Sequence, residues 1–168
     1  MVEEESKLID EMDDDADDLY EREEEREETV QLVVFRLARE WYGVDIRKVK
    51  EIIKLNRVAH LPSSPQQIAG IVNLRGNILS VTDLKVLLNL SREQPGEKAK
   101  IIAVESGILE TGLLADEVMG SVEVPVRMIG PVIPTIPAEG ARYLEGQCKV
   151  AHKLIGVLSV EKVLEIHN

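Results

Sequence analysis

The chain has 168 residues, which is enough for one ordinary domain. Hydrophobic residues make up 44% and charged residues 30%, the balance of a globular protein. Residues 1–28 hold 16 acidic and 3 basic residues, a net charge of −13, whereas residues 29–168 carry a net charge of +2.

This distribution excludes several classes. A nearly neutral body behind an acidic leader disfavours nucleic-acid binding, because a phosphate backbone requires a basic surface. The single cysteine, Cys148, excludes an internal disulfide and indicates a reducing compartment. No apolar run approaches the length of about 18 residues that spans a bilayer, and the acidic start lacks the pattern of a secretion signal. We therefore expect a cytoplasmic protein without direct membrane insertion.

The leader, residues 1–28, is too polar and too uniformly charged to bury a core, which predicts disorder. It carries a thin apolar stripe suited to a basic partner, formed by Leu8, Ile9, Met12 and Leu19. Four of its acids match the spacing of a calcium loop, but Asp18 stands where that loop requires glycine. We predict no metal site there; the four acids are Asp13, Asp15, Asp17 and Glu24.

The body begins at Thr29 with a strand over residues 30–37, apolar on both faces. A second strand is predicted over Trp41–Asp45. The pattern then changes to a helical period over residues 46–53, with Ile46, Val49, Ile52 and Ile53 on one face and Asp45 as N-cap. The prolines and serines of residues 60–67 predict a loop.

Strands are predicted over Ile71–Arg75 and Ile78–Thr82, joined by a Gly76-Asn77 turn. Asp83 caps a short helix, Leu84–Asn89. A second hairpin follows, and a strand over Val118–Val124 continues its sheet. After the proline-spaced residues 125–140 come a last strand and a helix capped by Ser159. Many short strands with brief helices predict a mainly β fold, a barrel or a sandwich. The second hairpin comprises Ile101–Val104 and Leu109–Ala115, turning at Ser106-Gly107, and the last strand is Leu154–Leu158.

Motifs of the common enzyme classes are missing from the sequence, including GxGxxG, the P-loop, HExxH and GxSxG. His60, His152 and His167 lie far apart. Lys149 is next to Cys148 and favours a somewhat lower thiol pKa, but no histidine has a suitable spacing to that thiol. Asp116 and Glu117 are neighbours in a strand and so point to opposite faces. The sequence therefore predicts no catalytic residue, no metal and no cofactor, and favours a binding module.

Four stretches, spanning residues 30–165, resemble the CheW family of chemotaxis adaptors. The central one combines a proline-bearing loop, the pattern G-[IV]-x-N-L-R-G-x-[IL] and an Asp-Leu pair. The acidic leader lies outside the match. The four stretches are WYGVDIRKVKEI (41–52), HLPSSPQQIAGIVNLRGNILSVTDLK (60–85), GLLADEVMGSVEV (112–124) and LIGVLSVEKVL (154–164).

The resemblance implies two five-stranded β-barrel subdomains that share an aliphatic core over residues 29–168, with short helices that include a C-terminal one. It also implies a non-enzymatic scaffold that couples the cytoplasmic tips of transmembrane chemoreceptors to the chemotaxis histidine kinase, which carries a homologous regulatory domain. Two other readings stay open: a similar module of another sensor pathway, and a small hydrolase that draws on Asp116, Glu117, His60 and Cys148.

By resemblance, the receptor-binding residues are Arg75, Glu51, Val49, Val58, Leu61 and Gly70, whereas Asn73, Gly76 and Asn77 form the turn. Arg75 is the first choice, because a guanidinium offers five donors to carboxylates and carbonyls of a partner. Structural alternatives remain for these residues: an ion pair within the barrel for Arg75, core packing for the aliphatic side chains, and the start of a strand for Gly70. No residue is assigned to a kinase interface.

Overall fold

The computed structural model describes residues 27–133 and 138–167, and the predictions for residues 1–26 and 134–137 lie outside it. Ten strands form two sheets, with a few short helices between them. The strands are β1 (Thr29–Leu37), β2 (Glu40–Asp45), β3 (Val49–Lys54), β4 (Ile68–Leu74), β5 (Asn77–Thr82), β6 (Lys100–Ser106), β7 (Leu109–Ala115), β8 (Glu117–Pro125), β9 (Leu144–Val150) and β10 (Lys153–Leu158).

Each sheet has five strands. The terminal sheet, built from both ends of the chain, has the order β8-β1-β2-β10-β9, and the middle sheet has the order β3-β6-β7-β5-β4. Both orders contain the same sequence of four pairings, of which only the third is parallel: β2 with β10 in the terminal sheet and β7 with β5 in the middle sheet. The two sheets are therefore topologically equivalent. The terminal sheet combines the N-terminal hairpin β1–β2 with β8, β9 and β10 from the C-terminal part of the chain.

The edges of each sheet approach each other at one isolated bridge. Ala59, after β3, pairs with Ile71 of β4, and Gly130, after β8, pairs with Gln147 of β9. The sheets are thus curled and are not continuously closed barrels. The predicted mainly β fold of two five-stranded units is confirmed.

A shared apolar core lies between the two sheets, and each sheet also encloses an interior core of its own. Strand β1 shows why its sequence is apolar on both faces: Leu32 and Val34 point into the terminal sheet, whereas Val33, Phe35 and Leu37 join the shared core. Alternation along a strand places successive side chains on opposite faces, and here both faces are buried.

The helices are short. They are α1 (Leu84–Leu87), α2 (Ala138–Ala141) and α3 (Val160–Leu164), with 3-10 turns at Ile46–Lys48, Val126–Met128 and Glu165–His167. The predicted caps are confirmed, since the side chains of Asp83 and Ser159 accept from the backbone N–H groups of Lys85 and Lys162. None of the helices that the structure describes is long and apolar enough to cross a membrane.

The predicted helix over residues 46–53 is wrong. Asp45 does cap a turn, by accepting from the N–H of Arg47, but that turn ends at Lys48 and the chain continues as the edge strand β3. Exposure alternates along β3, and Glu51 and Ile53 share one face, whereas a bulge at Lys50 turns Val49 toward the shared core on the other face. A short run rich in β-branched residues fits both periods, and pairing with β6 decides for the strand.

Two further predictions on the strands need correction. Strand β8 does not continue the sheet of β7, because it crosses to the terminal sheet and pairs with β1. Strand β9 was not predicted, since Gly146, Gln147 and Lys149 give it little β propensity. Its pairing with β10 stabilises it instead, through a hairpin that turns at Ala151 and His152.

Candidate docking site

The tip of the β4–β5 hairpin presents Arg75 to solvent. Leu74 pairs with Asn77, so the two-residue turn is Arg75-Gly76, one position before the predicted Gly76-Asn77. Both turn residues have positive φ, 52° and 85°, the backbone of a type I′ turn. The side chain of Asn73 accepts from the N–H of Gly76 at 2.9 Å, which holds the turn in place. The Arg75 side chain is 80% exposed.

Glu51 anchors that guanidinium. Its Oε1 lies 3.0 Å from Nη2 of Arg75, and its side chain is only 27% exposed. Glu51 can reach the hairpin because it lies on the same end of the middle sheet, on edge strand β3. The sequence-based prediction had placed Glu51 on a helix and had left the ion pair of Arg75 open; the structure brings the two residues together.

Two further charges complete this end of the sheet. Lys50 occupies a bulge in β3, and its Nζ lies 3.0 Å from Oε2 of Glu110 on β7. The hydrogen bond to Glu110 raises the pKa of Lys50, which stays charged at neutral pH. Lys50, Glu51, Arg75 and Glu110 therefore form a charged groove, with a volume of about 100 Å³. We call these four residues the charged end of the middle sheet.

The other predicted receptor residues do not join the charged end. Val49 packs against the shared core, and Val58 packs against the interior core of the middle sheet. Gly70 is buried, with the carbonyl oxygen of Ala59 only 2.4 Å from the place where a Cβ would stand. Leu61 lies on the loop after Ala59 and is 39% exposed. Of the six residues, Arg75, Glu51 and Leu61 thus have side chains that reach toward solvent.

Val58 lies near the opposite end of the β4–β5 hairpin. There it lines a cleft of about 600 Å³ together with His60, Ile68 and Arg92. Ile68 and Leu74 are the ends of β4, which at about 3.3 Å per residue separates the two places by about 20 Å. The residues predicted by resemblance therefore fall on two separate surfaces.

The equivalent end of the terminal sheet has a different chemistry. Val81 pairs with Gly112 in the middle sheet as Val157 pairs with Gly43 in the terminal sheet, so these residues occupy equivalent positions. The same alignment makes the turn of the β4–β5 hairpin equivalent to the turn of the β9–β10 hairpin. The four charged positions then correspond to apolar residues or glycine. Because the terminal sheet has the same strand order without these charges, the fold does not require them. Lys50, Glu51, Arg75 and Glu110 correspond to Met119, Gly120, Ala151 and Trp41.

Sequence reasoning did not identify Lys50, Glu110 or Ile78 as parts of the site. Ile78 is 70% exposed and is the second residue of strand β5, just after the hairpin tip. These residues belong to three different strands, so no local motif contains them. Only a comparison of the two equivalent sheets distinguishes these positions, and the amino-acid sequences of the two sheets are not recognisable as a repeat.

The residues that suggested a hydrolase lie apart. Asp116 is engaged in a buried ion pair, with its Oδ1 2.8 Å from Nζ of Lys85, and Glu117 faces Arg36 at 3.5 Å. Cys148 lies in the interior of the terminal sheet, where burial raises the pKa of its thiol, contrary to the effect expected from Lys149. His60 lines the cleft on the middle sheet. These positions do not assemble one reactive centre.

Histidine, cysteine and acidic side chains are the residue types that most often bind metal ions in proteins. Within residues 27–133 and 138–167 no group of three or more of them has a geometry that could hold a metal ion. His167 instead contacts a threonine: its Nε2 lies 3.1 Å from Oγ1 of Thr82.

Comparisons with known proteins agree with this architecture. A model of the CheW-like domain family matches residues 31–167. The chain is 31% identical to a chemotaxis protein CheW of Treponema pallidum, over 82% of this chain and 83% of that protein. It is 29% identical to a chemotaxis protein CheW of Klebsiella aerogenes, over 80% and 81% respectively. The crystal structure of the scaffolding protein TtCheW from Thermoanaerobacter tengcongensis superposes with a TM-score of 0.73 at 33% identity, covering 81% of this chain and 88% of that chain.

Proposed function

The chain belongs to the CheW-like domain family, and on that premise we propose that it is a chemotaxis scaffold that couples chemoreceptors to a histidine kinase. In this proposal the charged end of the middle sheet receives the cytoplasmic tip of a receptor. The kinase's homologous domain binds elsewhere on the same body. The protein acts through geometry and through simultaneous binding, and it performs no chemical step.

The observation that carries the receptor assignment is the presentation of Arg75. Its guanidinium is exposed, yet Glu51 fixes one of its nitrogens at 3.0 Å. Within the part of the chain that the structure describes, Glu51 is its side-chain partner, and its remaining donors can bind carboxylates or carbonyl oxygens of another protein. The fixed guanidinium then loses less side-chain entropy than an unrestrained arginine would.

An apolar contact lies beside this polar anchor. Ile78 is largely exposed three residues after Arg75, on a strand that leads away from the turn. A receptor tip built from helices presents both apolar side chains and charged groups, and recognition of a helix combines these two kinds of contact. The pair of Arg75 and Ile78 fits such a partner.

Charge reversal tests the receptor site. We expect Arg75→Glu to weaken binding to purified receptor cytoplasmic fragments by about tenfold or more, because a charged contact becomes repulsive. The matched control is Arg39→Glu, which reverses an exposed arginine in the β1–β2 turn of the other sheet and should leave receptor affinity unchanged. Equal affinities of the Arg75→Glu variant and the wild type would remove this surface from the proposal.

A charge swap separates contact from support. The double variant Glu51→Arg, Arg75→Glu allows the internal ion pair to form again with reversed polarity. If Arg75 contacts the receptor, binding stays weak in the double variant; if it only stabilises the hairpin, binding returns. Co-purification of the kinase with the same variants provides the second measurement, and we expect kinase binding to be retained.

A further inference from the structure

The equivalent end of the terminal sheet forms an apolar groove of about 150 Å³. Its floor includes Val34 and Val122, and its wall includes Trp41 and the half-exposed Met119. The receptor site described above lies on the other sheet, so this groove is a separate surface. We call it the Trp41 groove.

The rim of the Trp41 groove is basic. The ammonium group of Lys153, which lines the groove, lies 4.1 Å from the centre of the Trp41 ring, and the exposed His152 precedes it in the same hairpin. None of the described residues that line the groove is acidic. Among the ion pairs of residues 27–133 and 138–167, none includes Lys153.

The leader has the complementary composition. Residues 1–26 precede the described part of the chain, and they combine a dense run of acids with Leu8, Ile9, Met12 and Leu19. We propose that this leader docks in the Trp41 groove of its own chain. Its apolar side chains contact Trp41 and Met119, and its carboxylates pair with Lys153.

The leader can reach the groove. Its last residues are fixed beside β1, because Glu27 pairs with Arg127 at 2.6 Å and the carbonyl of Glu28 accepts from the N–H of Val126. Val34 of the groove lies six residues further along the chain, a distance of about 20 Å in a strand. Leu19 precedes Glu27 by eight residues, which span up to about 27 Å when extended. Because the leader is tethered, its effective concentration is on the order of millimolar, and weak contacts suffice.

Trp41 provides a direct probe, since it is the only tryptophan of the chain. Acrylamide quenching of its fluorescence reports how far the groove is covered in the full-length protein. We expect Leu8→Ser, Leu19→Ser to raise the quenching constant by about twofold, because the apolar part of the contact is lost. The control Ala16→Ser also introduces a serine into the leader but removes no large apolar side chain, and its quenching constant should equal that of the wild type.

The electrostatic part is tested separately. About 1 M NaCl shortens the Debye length to about 3 Å and should raise the quenching constant of the wild type toward that of the double variant. Lys153→Glu should do the same at low salt, whereas Lys54→Glu, an equal charge change on the middle sheet, should not.

Two results would overturn the proposal. One is an unchanged quenching constant in the double leader variant. The other is a quenching constant that depends on protein concentration, which would place the leader in the groove of a second copy.

Discussion

Gly70 and Gly146 occupy equivalent positions in the two sheets, and each lies directly beneath a backbone carbonyl. A Cβ on Gly70 would stand 2.4 Å from the oxygen of Ala59, and a Cβ on Gly146 would stand 2.6 Å from the oxygen of Gly130. Those carbonyls belong to the segments that bridge the edges of each sheet. Glycine at these two places is therefore what allows each sheet to curl until its edges meet.

Alanine at either glycine should destabilise the fold. We expect Gly70→Ala and Gly146→Ala each to lower the free energy of unfolding by about 1–3 kcal/mol, because a backbone oxygen cannot yield as a flexible side chain would. Gly70→Ala should cost more, since Gly70 also has a φ of 152°. Urea denaturation measures both.

The control for this pair is Gly96→Ala, where no atom lies within 4 Å of the added Cβ and φ is not positive. If Gly70→Ala instead weakens receptor binding without changing stability, the predicted packing role is contradicted. Gly70 then contacts the receptor, as the resemblance implied.

The ion pair of Arg75 and Glu51 should contribute little to stability despite its proposed role in binding. Exposed ion pairs typically contribute about 0–1 kcal/mol, and the Arg75 side chain is 80% exposed. We therefore expect Arg75→Ala and Glu51→Gln to leave the urea midpoint nearly unchanged while receptor affinity falls. A loss of stability of several kcal/mol in Arg75→Ala would show that the pair supports the hairpin.

The buried ion pair of Lys85 and Asp116 behaves differently. Both side chains are at most 10% exposed, and Asp116 also accepts from the N–H of Ala38 in the β1–β2 turn, at 2.7 Å. Lys85 donates to the carbonyl of Glu93 at 3.0 Å. This cluster links helix α1, which lies between β5 and β6 of the middle sheet, to a turn of the terminal sheet.

Removing one partner leaves the other charge buried without compensation. We expect Lys85→Met and Asp116→Asn each to cost about 3–5 kcal/mol in the free energy of unfolding. Lys98→Met is the matched control, because Lys98 is 77% exposed and faces Glu117 at 3.7 Å. Equal effects of Lys85→Met and Lys98→Met on the urea midpoint would contradict the assigned role of the buried pair.

Local chemistry in the sequence predicted much of the fold. The caps at Asp45, Asp83 and Ser159 depend on neighbouring residues, and strand β1 is apolar on both faces; all four were predicted. The edge strand β3 was assigned to a helix, because Val49, Ile52 and Ile53 fit both periods and only its pairing with β6 decides between them.

Long-range pairing explains the remaining differences. β8 joins β1 across about half of the chain, and neither segment carries a local signal for that choice. The charged end of the middle sheet has the same origin. Arg75 and Glu51 were named by resemblance, but Lys50 and Glu110 reach the site only because β3 and β7 begin at the same end of the sheet.

The C-terminal His167 should make stability depend on pH. The hydroxyl of Thr111 donates to the carbonyl of Ser80 at 2.9 Å, so it must accept from Thr82 at 2.8 Å. The hydroxyl of Thr82 has then used its only proton and accepts from Nε2–H of His167. Burial lowers the pKa of His167, since protonation would leave a charge poorly solvated.

The sign follows from that direction. In the unfolded chain His167 binds a proton near the ordinary histidine pKa of about 6.5. In the folded protein the same imidazole binds its proton only at a lower pH. Stability from neutral His167 is therefore fully present above that pH and is lost as the pH falls through the lower folded value. His167→Gln keeps a donor for Thr82 but does not titrate. The free energy of unfolding of the wild type, relative to this variant, should decline from pH 7 to pH 5, and parallel profiles would refute the assigned role of His167.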